Sequence, residues 1–329
     1  MKTLVTGVAG FVGFHVTRNL AESGQAVIGV DDLNDYYDVT LKHARLDQLK
    51  SFPSFTFKKS NIADREAMER VFEDNKDITH IIHLAAQAGV RYSLVDPYTY
   101  QHVNILGLLV VLELTRGLKN LEHFIFASSS SVYGNLPNLP YSTKDHSNKP
   151  ISFYGATKKS GEVICHSYSH IYSIPMTCLR FFTVYGPWGR PDMAAYLFTQ
   201  QILAGNPINV FNHGDMRRDF TYIEDCVAGV VNCVSTKPLI INDEAPFAVY
   251  NIGNSRSESL MDFINIIERE LGREAKIKFL PLQKGDVVET YANIEDAKNT
   301  FGFDPKTNIS EGLIKFIDWY RDHHKVSKS

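Results

Sequence analysis

A doubly wound, parallel α/β sheet is the fold that three features of this 329-residue chain predict. Short apolar runs alternate with helix-length amphipathic stretches through the first half, the rhythm of strand, crossover helix and next strand. A glycine-rich turn, Gly7-Val-Ala-Gly10-Phe-Val-Gly13, follows the first apolar run and opens a helix. An acid, Asp31, closes the second run 18 residues after Gly13. Together these specify the Rossmann type, in which ligands bind outside the carboxyl ends of the strands.

Taken in order, Lys2 to Thr6 reads as a buried strand and the helix after the glycines runs to about Ser23. The glycines allow a tight turn and a close approach of backbone to a pyrophosphate, which the free amides of the helix start would face. Phe11 and Val12 complete that turn. Ala26 to Val30 is the second strand, and Asp31 after it would accept from adenosine ribose hydroxyls and repel a 2′-phosphate, favouring NAD over NADP. Phe55 to Lys58 is the third, followed by Asn61, Ile62 and a helix from Asp64. Thr79 to Leu84 is the fourth and leads into Ala85 and Ala86. A long helix spans Tyr98 to Leu118, His123 to Ala127 is the fifth strand, a helix covers Ser152 to Tyr172, and Met176 to Phe182 is the sixth strand. Beyond Phe182, glycine and proline become frequent, and helices at about 194–204, 223–234, 259–271 and 310–321 are separated by long loops. This predicts a dinucleotide-binding domain over residues 1–182 and a smaller α/β substrate domain over 183–329, interleaved with the first and closing over the strand ends.

Composition narrows the function. A chain that is 44% apolar and 22% charged is an ordinary globular protein. Its net charge of −3, with basic residues dispersed, gives no footprint for nucleic acid. Cys165, Cys178, Cys226 and Cys233 lack metal or redox spacing and read as buried thiols of a reducing compartment. The N-terminal apolar run passes into His15, Arg18 and Glu22 without a cleavage site, and no run reaches the ~18 residues of a membrane span, so a cytoplasmic location is expected.

The chemistry centres on Tyr154 and Lys158, one helical turn apart, so that phenol and ammonium share a face. A nearby cation favours the phenolate and brings the tyrosine closer to use as a base. With 16 tyrosines in the chain the spacing alone arises about once by chance, so its neighbours give it weight. The fifth strand ends in Ser128-Ser129-Ser130-Ser131, and a hydroxyl there faces the same crevice as the dinucleotide.

These segments resemble the short-chain dehydrogenase/reductase superfamily in its extended, nucleotide-sugar branch: TGVAGFVG at the start, HLAA at 83–86, SSSSVYG at 128–134, YGATK at 154–158 and MRRDFTYIED at 216–225. The resemblance implies NAD as cofactor, Ser129 hydrogen-bonding a sugar 4-hydroxyl, Tyr154 taking its proton, and Lys158 holding the nicotinamide ribose while lowering the phenol pKa. Asn104 matches a family asparagine and is equally well read as a satisfied core amide. Asp32 stands where asparagine is common, and Asn61 where an aspartate usually meets the adenine.

Within the branch, 4,6-dehydratases carry Asp-Glu where Ser130 and Ser131 stand, and decarboxylases usually keep a glutamate at the Ser131 position. The stretches Asp32 to Asp38 and Phe182 to Met193 are similar to UDP-glucuronate 4-epimerases. A Thr183 hydroxyl and the Arg190 guanidinium would suit a sugar bearing a carboxylate. The resemblance also implies a UDP-sugar substrate with Phe211 on the uracil, Arg218 at the diphosphate and Asp286 at the uridine ribose. Arg91 and Arg217 read as solvated charges. A decarboxylase or a neutral-sugar 4-epimerase on the same scaffold is the alternative, and a redox-sensing protein that has lost catalysis is a more distant one. Relatives usually dimerise through the two long helices, here 98–118 and 152–172, so a homodimer is expected; neither a nucleic-acid nor a membrane partner is.

Overall fold

The computed structural model describes residues 1–240 and 244–327. Six strands follow one another as expected: β1 (Lys2–Thr6), β2 (Ala26–Asp31), β3 (Phe55–Lys59), β4 (His80–His83), β5 (His123–Ser129) and β6 (Met176–Phe181). All pair in parallel, and a seventh strand, Phe247–Ile252, adds beside β6. The spatial order is Phe247–Ile252, β6, β5, β4, β1, β2, β3, so the order of the chain reverses between β1 and β4. A crevice opens at such a switch point, outside the carboxyl ends of the strands.

Alternation along each strand feeds two cores, because successive side chains point to opposite faces. Val5, Ile82 and Ile125 face one core, while Leu4, Ile81, Phe124 and Phe126 face the other. The first core continues without a break into Phe220, Phe263 and Phe316 from the second half of the chain. Since residues 247–252 also complete the sheet, a cut at 182/183 would divide both the sheet and its first core.

Boundaries differ from the sequence reading where the backbone has a reason to differ. β5 runs two residues further than expected, through Ser128 and Ser129, because these pair with Arg180 and Phe181 of β6. The long fourth helix begins at Pro97, capped by the Asp96 side chain accepting from the Thr99 amide at 3.2 Å, and ends at Thr115. Its middle, Gln101–Leu106, is a π-helical turn. A helix at Val39–Leu49, with Asp38 as its cap, was not foreseen; its sequence has no clean apolar stripe, since Lys42 and Arg45 are themselves buried. The second half adds three two-stranded sheets, and its helices Ala194–Leu203, Leu260–Leu271 and Ile309–His324 pack together.

Two glycines set how closely helices approach the sheet. A Cβ on Gly13 would stand 2.0 Å from the Gly7 carbonyl oxygen, so the first helix could not sit on the end of β1 with any other residue there. A Cβ on Gly161 would meet the Phe126 ring at 2.4 Å, where the Phe153–Tyr172 helix crosses β5. Gly161→Ala is therefore expected to overpack this contact and lower unfolding stability by about 1–3 kcal/mol, read as a fall in the denaturant midpoint.

Candidate active site

A cleft of about 390 Å³ lies along the switch point. Its walls include Gly7, Gly10, Phe11, Val12 and Gly13 from the glycine turn, Asp31 and Asp32 after β2, and Ile62 after β3. Leu84, Ala85 and Ala86 contribute after β4; Ser129, Ser130 and Ser131 after β5; then Tyr154, Lys158, Thr183 and Arg190. Residues that the sequence placed in two separate groups thus share one continuous space.

The glycine turn fits a dinucleotide. Gly7 has φ +79°, and a Cβ there would lie 2.8 Å from the Ala85 amide, so the turn is closed to side chains. The helix that follows, Phe11–Glu22, starts at Gly10 without a side-chain cap, leaving its first amides for an anion. Asp31 accepts from the Ala9 amide at 3.0 Å and the Leu33 amide at 2.9 Å, which fixes its carboxylate at the end of β2. Burial raises its pKa, partly offset by these amides and by Lys42. Asn61 does not line the cleft: its side chain accepts from the Ala63 amide at 2.8 Å and donates to Asp32 at 3.4 Å, so it braces Asp32 instead.

At the other end, Tyr154 is the second residue of the Phe153–Tyr172 helix, whose Ser152 cap accepts from the Gly155 amide at 3.0 Å. A Cβ on Gly155 would be 2.5 Å from the Ser131 carbonyl, so glycine lets this first turn press against the serine run. Enclosure by protein raises the Tyr154 phenol pKa, and the nearby Ser129 hydroxyl and the charge of Arg190 oppose this without reversing it. The helix start adds a positive potential in the same direction.

The Lys158 Nζ donates to the Ala127 carbonyl at 2.7 Å and lies 5.1 Å from the Phe126 ring. Burial lowers its ammonium to about 8.

Arg190 carries its own counter-ion, with Nε donating to Asp192 at 3.0 Å and Nη2 at 2.5 Å. Asn104, buried at 4%, accepts from the Gln87 amide at 2.8 Å and donates to the Gln87 carbonyl and the Thr157 hydroxyl, both at 3.0 Å. It is the satisfied amide of the two readings, and it ties the loop after β4 to the Tyr154 helix.

Phe211, Arg218 and Asp286 lie apart from this cleft but close to one another. Arg218 Nη2 donates to Asp286 Oδ1 at 2.8 Å. Arg91 joins them as a solvated charge, its side chain 57% exposed and its guanidinium 4.5 Å from the centre of the Phe211 ring and 3.9 Å from Asp286. The loop carrying Asp286 folds back, so sequence distance hid the contact. Arg217 meets Ser257 and Glu289 at the surface. Sequence reasoning assigned no role to Asn34, Tyr36, Tyr37, Lys42, Gln87, Gly89 or Met193, which also line the cleft; the clustered tyrosines of Asp32 to Asp38 were the available signal.

Comparison with known proteins agrees with this geometry. The NAD dependent epimerase/dehydratase family matches residues 3–253. Protein CapI of Staphylococcus aureus is 47% identical, with 99% of this chain and 100% of that protein covered. UDP-glucuronate 4-epimerase 2 of Arabidopsis thaliana is 44% identical over 99% of this chain and 77% of the plant protein. Among solved structures, UDP-glucuronic acid 4-epimerase from Bacillus cereus, in complex with UDP-glucuronic acid and NAD, superposes with a TM-score of 0.90 at 36% identity, covering 98% of this chain and 100% of that one.

Lys158 also sets a stability prediction. An ammonium whose pKa is depressed on folding opposes folding below about 8, and the opposition lifts as pH rises from there toward the unfolded value of 10.5. Cofactor-free Lys158→Met should therefore melt above the parent protein at pH 7, with the gap closing by about pH 10. Melting curves across that range measure it.

Proposed function

Because the chain belongs to the NAD dependent epimerase/dehydratase family, we propose that it inverts C4 of UDP-glucuronate to give UDP-galacturonate through a transient 4-keto sugar, as an isomerase with NAD as cofactor. One observation carries this choice of chemistry. Among the described residues the only carboxylates lining the cleft are Asp31 and Asp32, on the glycine-turn side, while the turn beside Tyr154 offers the hydroxyls of Ser129, Ser130 and Ser131. Elimination of water needs an acid and a base next to the sugar; oxidation and re-reduction at one carbon need only a proton acceptor.

When bound at the glycine turn and Asp31, NAD supplies reversible hydride acceptance from C4. Tyr154, as phenolate, takes the O4 proton as the C4–O4 bond becomes a carbonyl, and returns it when the hydride comes back on the other face. Ser129 holds O4, and its hydroxyl beside the phenol favours the ionised form. Lys158 anchors the ribose side of the dinucleotide. No net oxidation occurs, so the cofactor stays bound through turnover.

The uronic acid imposes a further demand. Its 4-keto form is a β-keto acid, whose carboxylate carbon–carbon bond breaks readily when aligned with the carbonyl π system, releasing CO₂ and leaving an enolate. Thr183, Arg190 and the serine run are the groups that keep the carboxylate out of that alignment. Phe211, Arg218, Asp286 and Arg91 form the uridine diphosphate end, with residues 183–329 supplying most of it and residues 1–182 the dinucleotide end. Four unpaired, buried thiols suit a reducing, cytoplasmic setting.

A second copy of the chain is the partner that its helices suit. Tyr98 (83% exposed), Val163 (59%) and Ile171 (62%) stand out on the adjacent Pro97–Thr115 and Phe153–Tyr172 helices. Such a paired apolar face is buried in a four-helix dimer. Val163→Glu should give monomers at micromolar concentration by light scattering; a dimer unaffected by the charge would place the interface elsewhere.

The enzymatic test is incubation with UDP-glucuronate and no added NAD⁺. UDP-galacturonate should form, and Tyr154→Phe should lower kcat by about 10²–10⁴-fold. A pentose as main product, or no conversion even with added NAD⁺, overturns the assignment.

A further inference from the structure

Arg190 enters the cleft from the loop after the short Thr183–Tyr185 strand, and its guanidinium is not loose. Nε and Nη2 both donate to Asp192, two residues on, in a side-on bidentate pair. The Asp192 Oδ2 atom also accepts from the Tyr36 hydroxyl at 3.3 Å, and the Tyr36 ring lies 5.8 Å from the Arg190 Cζ. Tyr36 belongs to the loop after β2, on the dinucleotide side, so this small network spans the cleft. Gly89, at φ +115°, closes over it: a Cβ there would stand 3.1 Å from the Tyr36 hydroxyl and 4.0 Å from Arg190 Nη2.

The chemistry of the fork follows from this. A guanidinium has five N–H donors, and the side-on pair uses one on Nε and one on Nη2. The second Nη2 hydrogen and the Nη1 hydrogen beside it then form an end-on edge pointing away from Asp192, while the other Nη1 hydrogen points back along the Cδ side. That edge has the spacing of a carboxylate.

We propose that Asp192 and Tyr36 are positioning residues for the uronic acid: they grip the Nε edge of Arg190 so that its Nη1–Nη2 edge meets the substrate carboxylate and holds it out of line with the C4 carbonyl. The proposal rests on the uronate reading of the cleft and assigns its selectivity between epimer and pentose to residues that do not touch the sugar. Without the grip, the arginine still carries its charge but no longer fixes an angle.

The experiment assays Asp192→Asn, Asp192→Glu and Tyr36→Phe with UDP-glucuronate, separating C4 epimer from pentose and measuring released CO₂. Asp192→Asn should raise KM, lower kcat/KM by about ten- to a hundredfold, and divert part of the product to pentose. Tyr36→Phe should move the product ratio the same way by less, and Asp192→Glu should restore it in part. A purely structural role would lower melting temperature and activity together while leaving the product ratio at its parent value. That result, or parent-like KM and CO₂ release in both Asp192→Asn and Tyr36→Phe, overturns the proposal while leaving the epimerase assignment intact. Should Asp192→Asn fail to fold, Tyr36→Phe, which loses a single hydroxyl, decides alone. A parent protein that makes no UDP-galacturonate overturns both.

Discussion

The buried ion pair between Glu162 and Arg180 is the constraint on which the geometry of the cleft depends. Both side chains are only 3% exposed, and they meet in two bonds of 2.7 and 2.8 Å. Ser128 donates to the same carboxylate at 2.6 Å, and Lys159 does so at 3.1 Å. The Arg180 guanidinium also lies over Tyr133, whose hydroxyl donates to Asn251. One carboxylate thus joins the Tyr154 helix, the end of β5 and β6, and the Arg180–Tyr133–Asn251 chain carries the link on to the late strand 247–252. Two charges out of water are expensive, and removing either partner alone from such a pair costs about 3–5 kcal/mol because the other is left buried without compensation. What the pair contributes at the cleft is position: Glu162 lies one turn beyond Lys158, and Ser128 is the residue before Ser129.

Burial leaves the Tyr154 phenol pKa raised, and three modest effects work against it. The helix start, the Ser129 hydroxyl and the Arg190 charge all favour phenolate, against an enclosure that raises the phenol pKa. Each requires close approach of backbone to backbone, which is why Gly155 follows the tyrosine and packs on the Ser131 carbonyl. Lys158, hydrogen-bonded to Ala127, is held back in an apolar pocket where a protonated amine is strained. The protein keeps this destabilising residue on the wall of the cleft, a common exchange of stability for function.

Much of this was legible from local pattern. Buried parallel strands are continuous apolar runs, and the glycine turn is a short-range signal, so the first six strands, their parallel pairing and a crevice at their carboxyl ends followed from the chain alone, whereas the strand at Phe247–Ile252 did not. What escaped was non-local. The helix at Val39–Leu49 buries Arg45, which donates to the Ala9 and Trp188 carbonyls, so its inward face reads as polar. The engagement of Arg190 by Asp192 and Tyr36, and of Arg91 by Phe211 and Asp286, depends on loops that meet only after folding. Asn61 fell to a different cause, since an Asx turn to Ala63 uses the side chain locally. The reach of β5 into its serines depended on pairing with β6, which no property of the serines announces.

The place of the Phe247–Ile252 strand bears on how this protein is made. Until residue 252 has left the ribosome, β6 is an open sheet edge with its backbone donors and acceptors unpaired, next to an apolar face that awaits Phe263 and Phe316. At ordinary elongation rates of about 5–20 residues per second, that adhesive edge is exposed for several seconds. The edge is one that transient exposure makes prone to pairing with other chains, and slower translation over that interval lengthens the exposure.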